Sequence, residues 1–335
     1  MGSQFVDLNA DGHLDYLSAT FDGSPHVAWG AAEGFGEPDR LLDAEGRRVL
    51  ISSIWNYESR KHENVAWAMP DGEARHERCI SALAFDWDGD GDLDLLLGSY
   101  EGGRLYLQMN EGTKTAAKFT GKNIPVMAGG QPFAIAAKMT APQLVDWDGD
   151  GDQDLIAGSF GDSYGQGGGG TVYLSRNAGK PGAPEFGALA PIIPPSRGGA
   201  DQPTRPDAGL YPHAADWDGD GDLDLLVGGY SMWTPATRAL SEEETARVGE
   251  LRAEQEAVRA EMQAFVKRIN DGVAERIKGL EPGSEEARKI RAAAFQEHQE
   301  PLAALRQRTQ DVQKQLDALV PRAQREAFVW LYERR

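Results

Sequence analysis

Residues 86–94 read Asp-Trp-Asp-Gly-Asp-Gly-Asp-Leu-Asp, and an apolar run, 95–98, follows them directly. The same nine residues recur almost unchanged at 146–154 and 216–224, each time with an apolar run behind them. A weaker copy occupies 7–15, so the copies begin at positions 7, 86, 146 and 216. A pattern repeated at such intervals predicts repeated structural units rather than a single mixed fold.

The chemistry of this nine-residue pattern favours a bound cation. Its carboxylates stand at positions 1, 3, 5 and 9, and a glycine at position 6 allows the backbone to turn sharply so that they converge. Position 7 is then placed to offer a main-chain carbonyl. Several hard oxygen ligands suit Ca²⁺ better than a transition metal.

The overall composition agrees with metal loops and argues against some partners. The chain has 335 residues and a net charge of −19, which opposes binding to nucleic acid because the phosphates would be repelled. Eighteen aspartates lie in the four loops, so four Ca²⁺ ions would bring the net charge to −11. We therefore interpret the acidity as metal-site charge rather than as a disordered acidic tail.

Processing and membrane signals are absent from the sequence as given. The single cysteine, Cys79, allows no intrachain disulfide, and no apolar stretch is long enough to predict a membrane span. The first repeat begins within a few residues of Met1, so we expect no signal peptide in this chain and a trimmed start.

A second shared element behind each loop indicates where segments have been inserted. It occurs at 26–30, 104–107, 171–174 and 328–332, with alternating β-branched and aromatic residues that predict a strand. The distance from the last loop aspartate to the aromatic residue of the shared element is 12 residues in the second unit, 19 in the third and 106 in the fourth. The fourth unit is therefore predicted to contain a large insertion, after which 328–332 pairs with 225–230.

The insertion itself predicts helices. Ser241 and Glu244 form a capping-box pattern, and apolar residues then recur every three or four positions, interrupted by Gln255. A turn at 281–284 precedes a second stripe, in which Pro301 should kink or split the helix near Glu300. Two such stripes predict an antiparallel, coiled-coil-like hairpin.

The loops resemble the FG-GAP/VCBS repeats of integrin-α-like β-propellers, over residues 5–237 and 327–335. The resemblance implies a mainly β fold, a β-propeller of at least four blades, with about four Ca²⁺ sites. It implies as metal ligands, with position 7 acting through its carbonyl, Asp7, Asn9, Asp11, His13, Asp15, Asp86, Asp88, Asp90, Asp92, Asp94, Asp146, Asp148, Asp150, Asp152, Asp154, Asp216, Asp218, Asp220, Asp222 and Asp224. Asn9 removes one ligand charge, so the first site should be weaker.

Competing interpretations of the loops are less favourable. EF-hand and dockerin loops require an acidic residue at position 12, where this chain has Ser18, Leu97, Ala157 and Val227. Calcium could clamp a turn without touching a partner, since binding would supply folding free energy. Three loop tryptophans, Trp87, Trp147 and Trp217, could stack on sugars or pack between neighbouring units.

These observations predict three segments: blades at 1–238, an inserted helical hairpin at 239–325 and a returning strand at 326–335. A divergent unit could also lie in 41–78, with strands at 49–52 and 64–67. No Ser/His/Asp grouping or histidine metal spacing is visible, so we expect a non-enzymatic calcium-binding module. We expect it to bind a protein or glycan in an extracellular, cell-surface or periplasmic setting, with self-association through the hairpin as an option. A carbohydrate-active enzyme, or its accessory domain, is the alternative.

Overall fold

The computed structural model describes residues 2–56, 61–63, 77–136, 138–161, 168–180, 182–196, 205–236, 238–281 and 284–334. The chain divides into two compact units. Unit 1, Met1–Trp233 with Arg325–Arg335, consists of antiparallel sheets, and unit 2, Thr234–Gln324, consists of helices. The prediction of a mainly β chain with a helical segment near its end is confirmed.

Four main sheets carry the four aspartate loops, and each loop joins the first two strands of its sheet. Sheet 1 contains Ser3–Val6, Asp15–Ala19, Pro25–Ala28 and Asp39–Arg40, and sheet 2 contains Cys79–Phe85, Asp94–Ser99, Leu105–Gln108 and Ile124–Pro125. Sheet 3 contains Met139–Val145, Asp154–Ser159, Val172–Ser175 and Ala190–Ile193, and sheet 4 contains Ala208–Ala215, Asp224–Trp233 and Gln324–Tyr332. Smaller hairpins pair Gly30–Ala31 with Gly34–Phe35, Ile54–Asn56 with Lys61–Glu63, and Met127–Ala128 with Gln131–Pro132.

The apolar runs after the loops explain how the sheets pack. In sheet 2, Leu95 and Leu97 join a cluster shared with sheet 1, whereas Leu96 joins a cluster shared with sheet 3. Ile156 continues the series by packing towards sheet 4. Because successive side chains of a strand point to opposite faces, an unbroken apolar run is needed where both faces are covered.

The first strands of the four sheets line one shared cavity of about 570 Å³. Gln4 bridges sheets 1 and 2, accepting a hydrogen bond from the Ala84 amide at 2.7 Å and donating to the Ala84 carbonyl at 3.3 Å. Gln143 bridges sheets 3 and 4 by accepting from the Ala214 amide at 2.7 Å. Each sheet thus presents its first strand to a common space, and within the described residues no sheet closes on itself.

Sheet 4 confirms the pairing predicted across the insertion. Strands Asp224–Trp233 and Gln324–Tyr332 are hydrogen-bonded neighbours, although the chain leaves and returns between them. The amide of Arg334 also donates to Asp224 Oδ1 at 2.9 Å. The last strand therefore completes the sheet that contains the fourth aspartate loop.

Unit 2 contains helices α1 (Glu242–Arg276), α2 (Glu285–Glu297) and α3 (Gln299–Leu319). Both hydrogen bonds of the predicted capping box between Ser241 and Glu244 are present. The second stripe splits at His298, just before Pro301, which occupies the first turn of α3 as the sequence suggested.

Helix α1 packs antiparallel to α3. The start of α1 contacts the end of α3 in a cluster formed by Val248, Leu251, Val312 and Leu316. The polar interruption Gln255 donates a hydrogen bond to Gln313 Oε1 at 2.8 Å, so its side-chain amide finds a partner on α3. In the described part of the chain, no helix has both the length and the apolar character required to cross a bilayer.

Residues 41–78, which were considered as a further repeat unit, do not form a sheet like the four main ones in the part of this segment that the structure describes. Val49, Leu50 and Ile51 are buried but form no strand, and the neighbouring hairpin uses Ile54–Asn56 and Lys61–Glu63 instead. The expected strand at 49–52 is therefore wrong, because these residues fill the core as irregular backbone. The other expected strand, at 64–67, lies outside the described residues.

Candidate metal centres

Glycines at positions 4 and 6 determine the backbone path of the loops. In the second loop Gly89 and Gly91 have φ of 77° and 93°, a left-handed region that disfavours L-residues. The third and fourth loops are nearly identical at these positions. Ala10 occupies position 4 of the first loop with φ of 53°, so this loop carries backbone strain that the others avoid.

The first aspartate of the loop then closes the turn. Asp86 accepts hydrogen bonds from the amides of Gly89 at 2.8 Å and Gly91 at 3.2 Å, one on each carboxylate oxygen. The amide of Asp92 donates to Asp90 Oδ1 at 3.0 Å. Such side-chain to backbone bonds hold the carboxylates in place without a cation.

Three loops bring their first three alternate aspartates together. In each group one carboxylate oxygen per residue lies within 4.8 Å of the others. The groups are Asp86, Asp88 and Asp90; Asp146, Asp148 and Asp150; and Asp216, Asp218 and Asp220. Three carboxylates this close repel one another, and a divalent cation would remove that repulsion.

The seventh position supplies a further sign that a cation fits. The Oδ1 atoms of Asp92, Asp152 and Asp222 are shielded from solvent, and no hydrogen bond to them was found within the described structure. Burial, together with the charges of neighbouring loop carboxylates, raises the pKa of all three. A buried polar atom without a partner is costly, so the donor set of these loops fits Ca²⁺.

This seventh side chain was missed by the sequence interpretation, which gave position 7 only a carbonyl role. Its signal was present, because an aspartate stands there in the three loops that form acidic triplets. In the first loop this position is His13, which is exposed.

The ninth aspartate acts as a clamp between strands. Asp94 Oδ2 accepts from the Trp87 amide at 3.0 Å, and its Oδ1 accepts from the Asn110 amide at 2.7 Å. Burial raises the pKa of Asp94 to about 6, and the two amide donors oppose that shift. Asp15, Asp154 and Asp224 repeat the arrangement with the amides of Gly30, Asn177 and Arg334.

These amide donors were also missed, since sequence reasoning treated the ninth aspartate only as a ligand. Asn110 has a second task, because its Oδ1 accepts from the amides of Gly112 and Lys118 at 2.9 and 2.7 Å. The turn Asn110-Glu111-Gly112 is thus part of the structure that supports the loop. The ninth aspartates lie outside the three triplets.

The first loop is organised without a triplet. The Asn9 side-chain amide donates to Asp11 Oδ2 at 3.1 Å, and Asp11 Oδ1 accepts from the His13 amide at 2.9 Å. The backbone hydrogen bond from His13 is the main reason that the pKa of Asp11 is lowered. Asp7 accepts from the amides of Asp11 and Gly12, so internal donors satisfy this loop.

The loop tryptophans are not equivalent. Trp87 packs against Phe186, with ring centroids 6.0 Å apart, and the Arg334 guanidinium lies 5.0 Å from the Trp147 ring centre. Trp217 is 62% exposed. Two of the three therefore pack against neighbours beside their loops, which is the second of the two roles considered for them.

Other sequence features add no centre within the described residues. The acidic triplets are the only groups of potential metal ligands found there. The sequence also has a glycine-rich stretch at 161–170, of which 162–167 lie outside the described residues, as does His76. His213 lines the shared cavity of the first strands.

Comparison with known proteins agrees with the loop geometry. A model of the FG-GAP-like repeat matches residues 86–157 and 146–227, which contain the second and third loops and reach through the fourth. No curated protein shows significant similarity to the chain. From the repeated loops and this match, residues 86–227 of the chain consist of FG-GAP-like repeats.

Proposed function

We propose that this protein is a calcium-stabilised, non-enzymatic interaction module of the β-propeller type, with the four main sheets as its blades. The observation that carries the proposal is the set of three acidic triplets, each beside a buried carboxylate oxygen without a hydrogen bond. Calcium would neutralise the triplet and satisfy the orphaned oxygen in one step.

The propeller arrangement is supported by how the sheets relate within unit 1. Each sheet packs face to face on the next, and all four first strands line one cavity. Sheets arranged radially around a common space are typical of propellers. The FG-GAP-like match over the second and third units supports the same architecture.

The proposed setting is extracellular, cell-surface or periplasmic, with a protein or a glycan as the ligand. The triplets are largely exposed, and open sites of this kind favour modest calcium affinity. Millimolar calcium outside the cell would fill such sites, whereas the low cytosolic concentration would not.

Calcium titration of the whole chain tests the proposal. After chelation, added Ca²⁺ should raise the melting temperature, since a ligand at about 100 times its Kd stabilises the folded state by about 2.7 kcal/mol per site. Mg²⁺ should be weaker because it demands stricter octahedral geometry. An equal melting temperature with chelator and with Ca²⁺ would contradict the proposal.

A matched pair of triple variants separates site binding from a general charge effect. The loop variant Asp88→Asn, Asp148→Asn and Asp218→Asn should lose most of the calcium-dependent shift. The control variant neutralises three exposed carboxylates of unit 2, Glu256, Asp271 and Glu285, and should keep it. Loss of the shift in both variants would indicate nonspecific screening.

A further inference from the structure

A cavity of about 500 Å³ lies at the end of sheet 1 opposite its aspartate loop. Phe21 and Asp22 belong to the turn between strands Asp15–Ala19 and Pro25–Ala28, and the metal loop meets the other end of the first of these strands. Arg78 and Glu101 approach from the corresponding end of sheet 2. The cavity is therefore separate from the candidate metal centres.

Asp22 anchors the polar wall of this cavity. It accepts hydrogen bonds from Thr20 at 2.7 Å and Arg40 at 3.1 Å, and it contacts His26 Nε2 at 3.0 Å. Burial alone would raise the pKa of Asp22, but these bonds and the positive charge of His26 lower it to about 2. The carboxylate is thus held ionised and in one orientation.

The charges of the cavity wall are balanced. Arg48 pairs with Asp22 at 3.0 Å and with Glu63 at 2.8 Å, and Arg78 Nε donates to Glu101 at 2.6 Å. Each guanidinium lining the cavity therefore has a carboxylate beside it. A wall with paired charges offers many hydrogen-bonding edges without selecting an anion, in a chain whose net charge is −19.

Aromatic rings form the apolar part of the same wall. Phe21 is 53% exposed and Trp55 is 44% exposed, and both line the cavity. The rings of Trp55 and His62 are steeply inclined to each other, at 71°, with centroids 5.0 Å apart, and this contact restricts the orientation of Trp55. The Arg78 guanidinium lies 5.0 Å from the Phe21 ring centre, so a ligand would contact the remaining exposed part of that ring. Partly exposed aromatic side chains beside rigid polar groups are a common composition of ligand pockets.

Phe21 is the first of four aromatic residues at equivalent positions in the four sheets, and the others are less exposed to solvent. Phe21, Tyr100, Phe160 and Tyr230 each stand six residues after the ninth loop aspartate, and consecutive ring centroids are 5.5, 5.9 and 6.0 Å apart. Tyr230, at the far end, is only 5% exposed. The row supports the sheets, and it is open to solvent mainly where it reaches the cavity.

We propose that this cavity binds a neutral sugar unit of a glycan, with the sugar's C–H face on the aromatic wall and its hydroxyls on the paired Arg and Asp edges. A pyranose has this combination of one apolar face and a polar rim, whereas a purely apolar or an anionic ligand would leave half of the wall unsatisfied. The inference rests on the proposed function as an interaction module, because it assigns that module a ligand class.

The test uses the full chain in the presence of Ca²⁺ and a panel of methyl glycosides. Neutral hexosides and N-acetylhexosaminides are compared with a glucuronide by saturation-transfer NMR, and a glycan array extends the panel. At least one neutral sugar should bind. Phe21→Ala and Trp55→Ala should each weaken binding at least about tenfold, or about 1.4 kcal/mol, whereas Trp55→Phe should restore most of it.

A control variant shows whether a loss of sugar binding is specific to the aromatic residues of the cavity. Phe35 is 54% exposed, nearly the same as Phe21, and does not line the cavity, so Phe35→Ala should bind as the unchanged chain does. Calcium-dependent melting of each variant verifies folding. Binding lost only in Trp217→Ala would overturn the cavity assignment, and so would binding of the glucuronide alone.

Failure of the sugar proposal can be told apart from failure of the proposed function. If no neutral sugar binds to a chain that Ca²⁺ stabilises, the sugar site is refuted and the calcium-stabilised module stands. If Ca²⁺ leaves the melting temperature unchanged, the module itself is refuted.

Discussion

Replacing Asp88 by asparagine is expected to change the stability of unit 1 in opposite directions with and without Ca²⁺. Asp88 is exposed and is the middle member of the acidic triplet in the second loop. Its Oδ1 accepts from the Asp90 amide at 3.2 Å, and an asparagine oxygen can accept the same bond. The substitution therefore removes a charge and little else. The third loop is less suitable, because Arg176 forms an ion pair with Asp148.

The magnitude follows from the geometry of the triplet. Its carboxylate oxygens lie within 4.8 Å of one another. Two unit charges at about that separation repel by about 0.9 kcal/mol in water, so losing the repulsion from two neighbours should stabilise the metal-free protein by about 1–2 kcal/mol. In saturating Ca²⁺ the lost ligand charge weakens the site, and the variant should be less stable than the unchanged chain.

Urea unfolding at low ionic strength, first with chelator and then with Ca²⁺, measures the predicted gain in stability without metal and the predicted loss with it. Added salt should shrink the metal-free gain, because exposed charges are screened. The reciprocal change, Asn9→Asp, should destabilise the metal-free protein and increase its response to Ca²⁺. If Asp88→Asn lowers stability without metal, or leaves the calcium response intact, the triplet is not a cation site and this reasoning is refuted.

Four further outcomes follow from the described contacts. Gly151→Ala should cost about 1–2 kcal/mol in urea unfolding, since φ is 95° while the added Cβ meets no atom within 4 Å, and Ala10→Gly should stabilise by a similar amount. Asp22→Asn should be destabilising at pH 7. Because the folded pKa lies near 2, below the ordinary value of 3.8, that deficit should disappear as melts are repeated from pH 4 down to pH 2. Replacing residues 236–321 by a short loop should remove the helical circular dichroism signal but keep the calcium-dependent melting, as the strands on either side are neighbours in sheet 4.

Much of the fold could be predicted because the repeats supply an internal scale. The distance from the ninth aspartate to the next shared strand located the insertion, and strands Asp224–Trp233 and Gln324–Tyr332 are indeed neighbours. The capping box and the split near Pro301 were also readable, since both depend on local backbone chemistry. The irregular buried path at 49–52 was not, because core burial can be satisfied without a strand.

For the candidate site, composition and spacing identified the residues but not the task of each one. A nine-residue loop with alternating aspartates and a glycine of positive φ specifies a turn that brings carboxylates together, because the glycine and the hydrogen bonds that form the turn all lie within the loop. The division of labour depends on contacts from distant parts of the chain. Asp94 became a clamp because the Asn110 amide lies across the hairpin. Within the described residues, Asp92 Oδ1 has no hydrogen-bond partner because packing shields it from solvent. The cavity beside Phe21 likewise joins residues from separate strands, and only the packing of sheet 1 against sheet 2 brought them together.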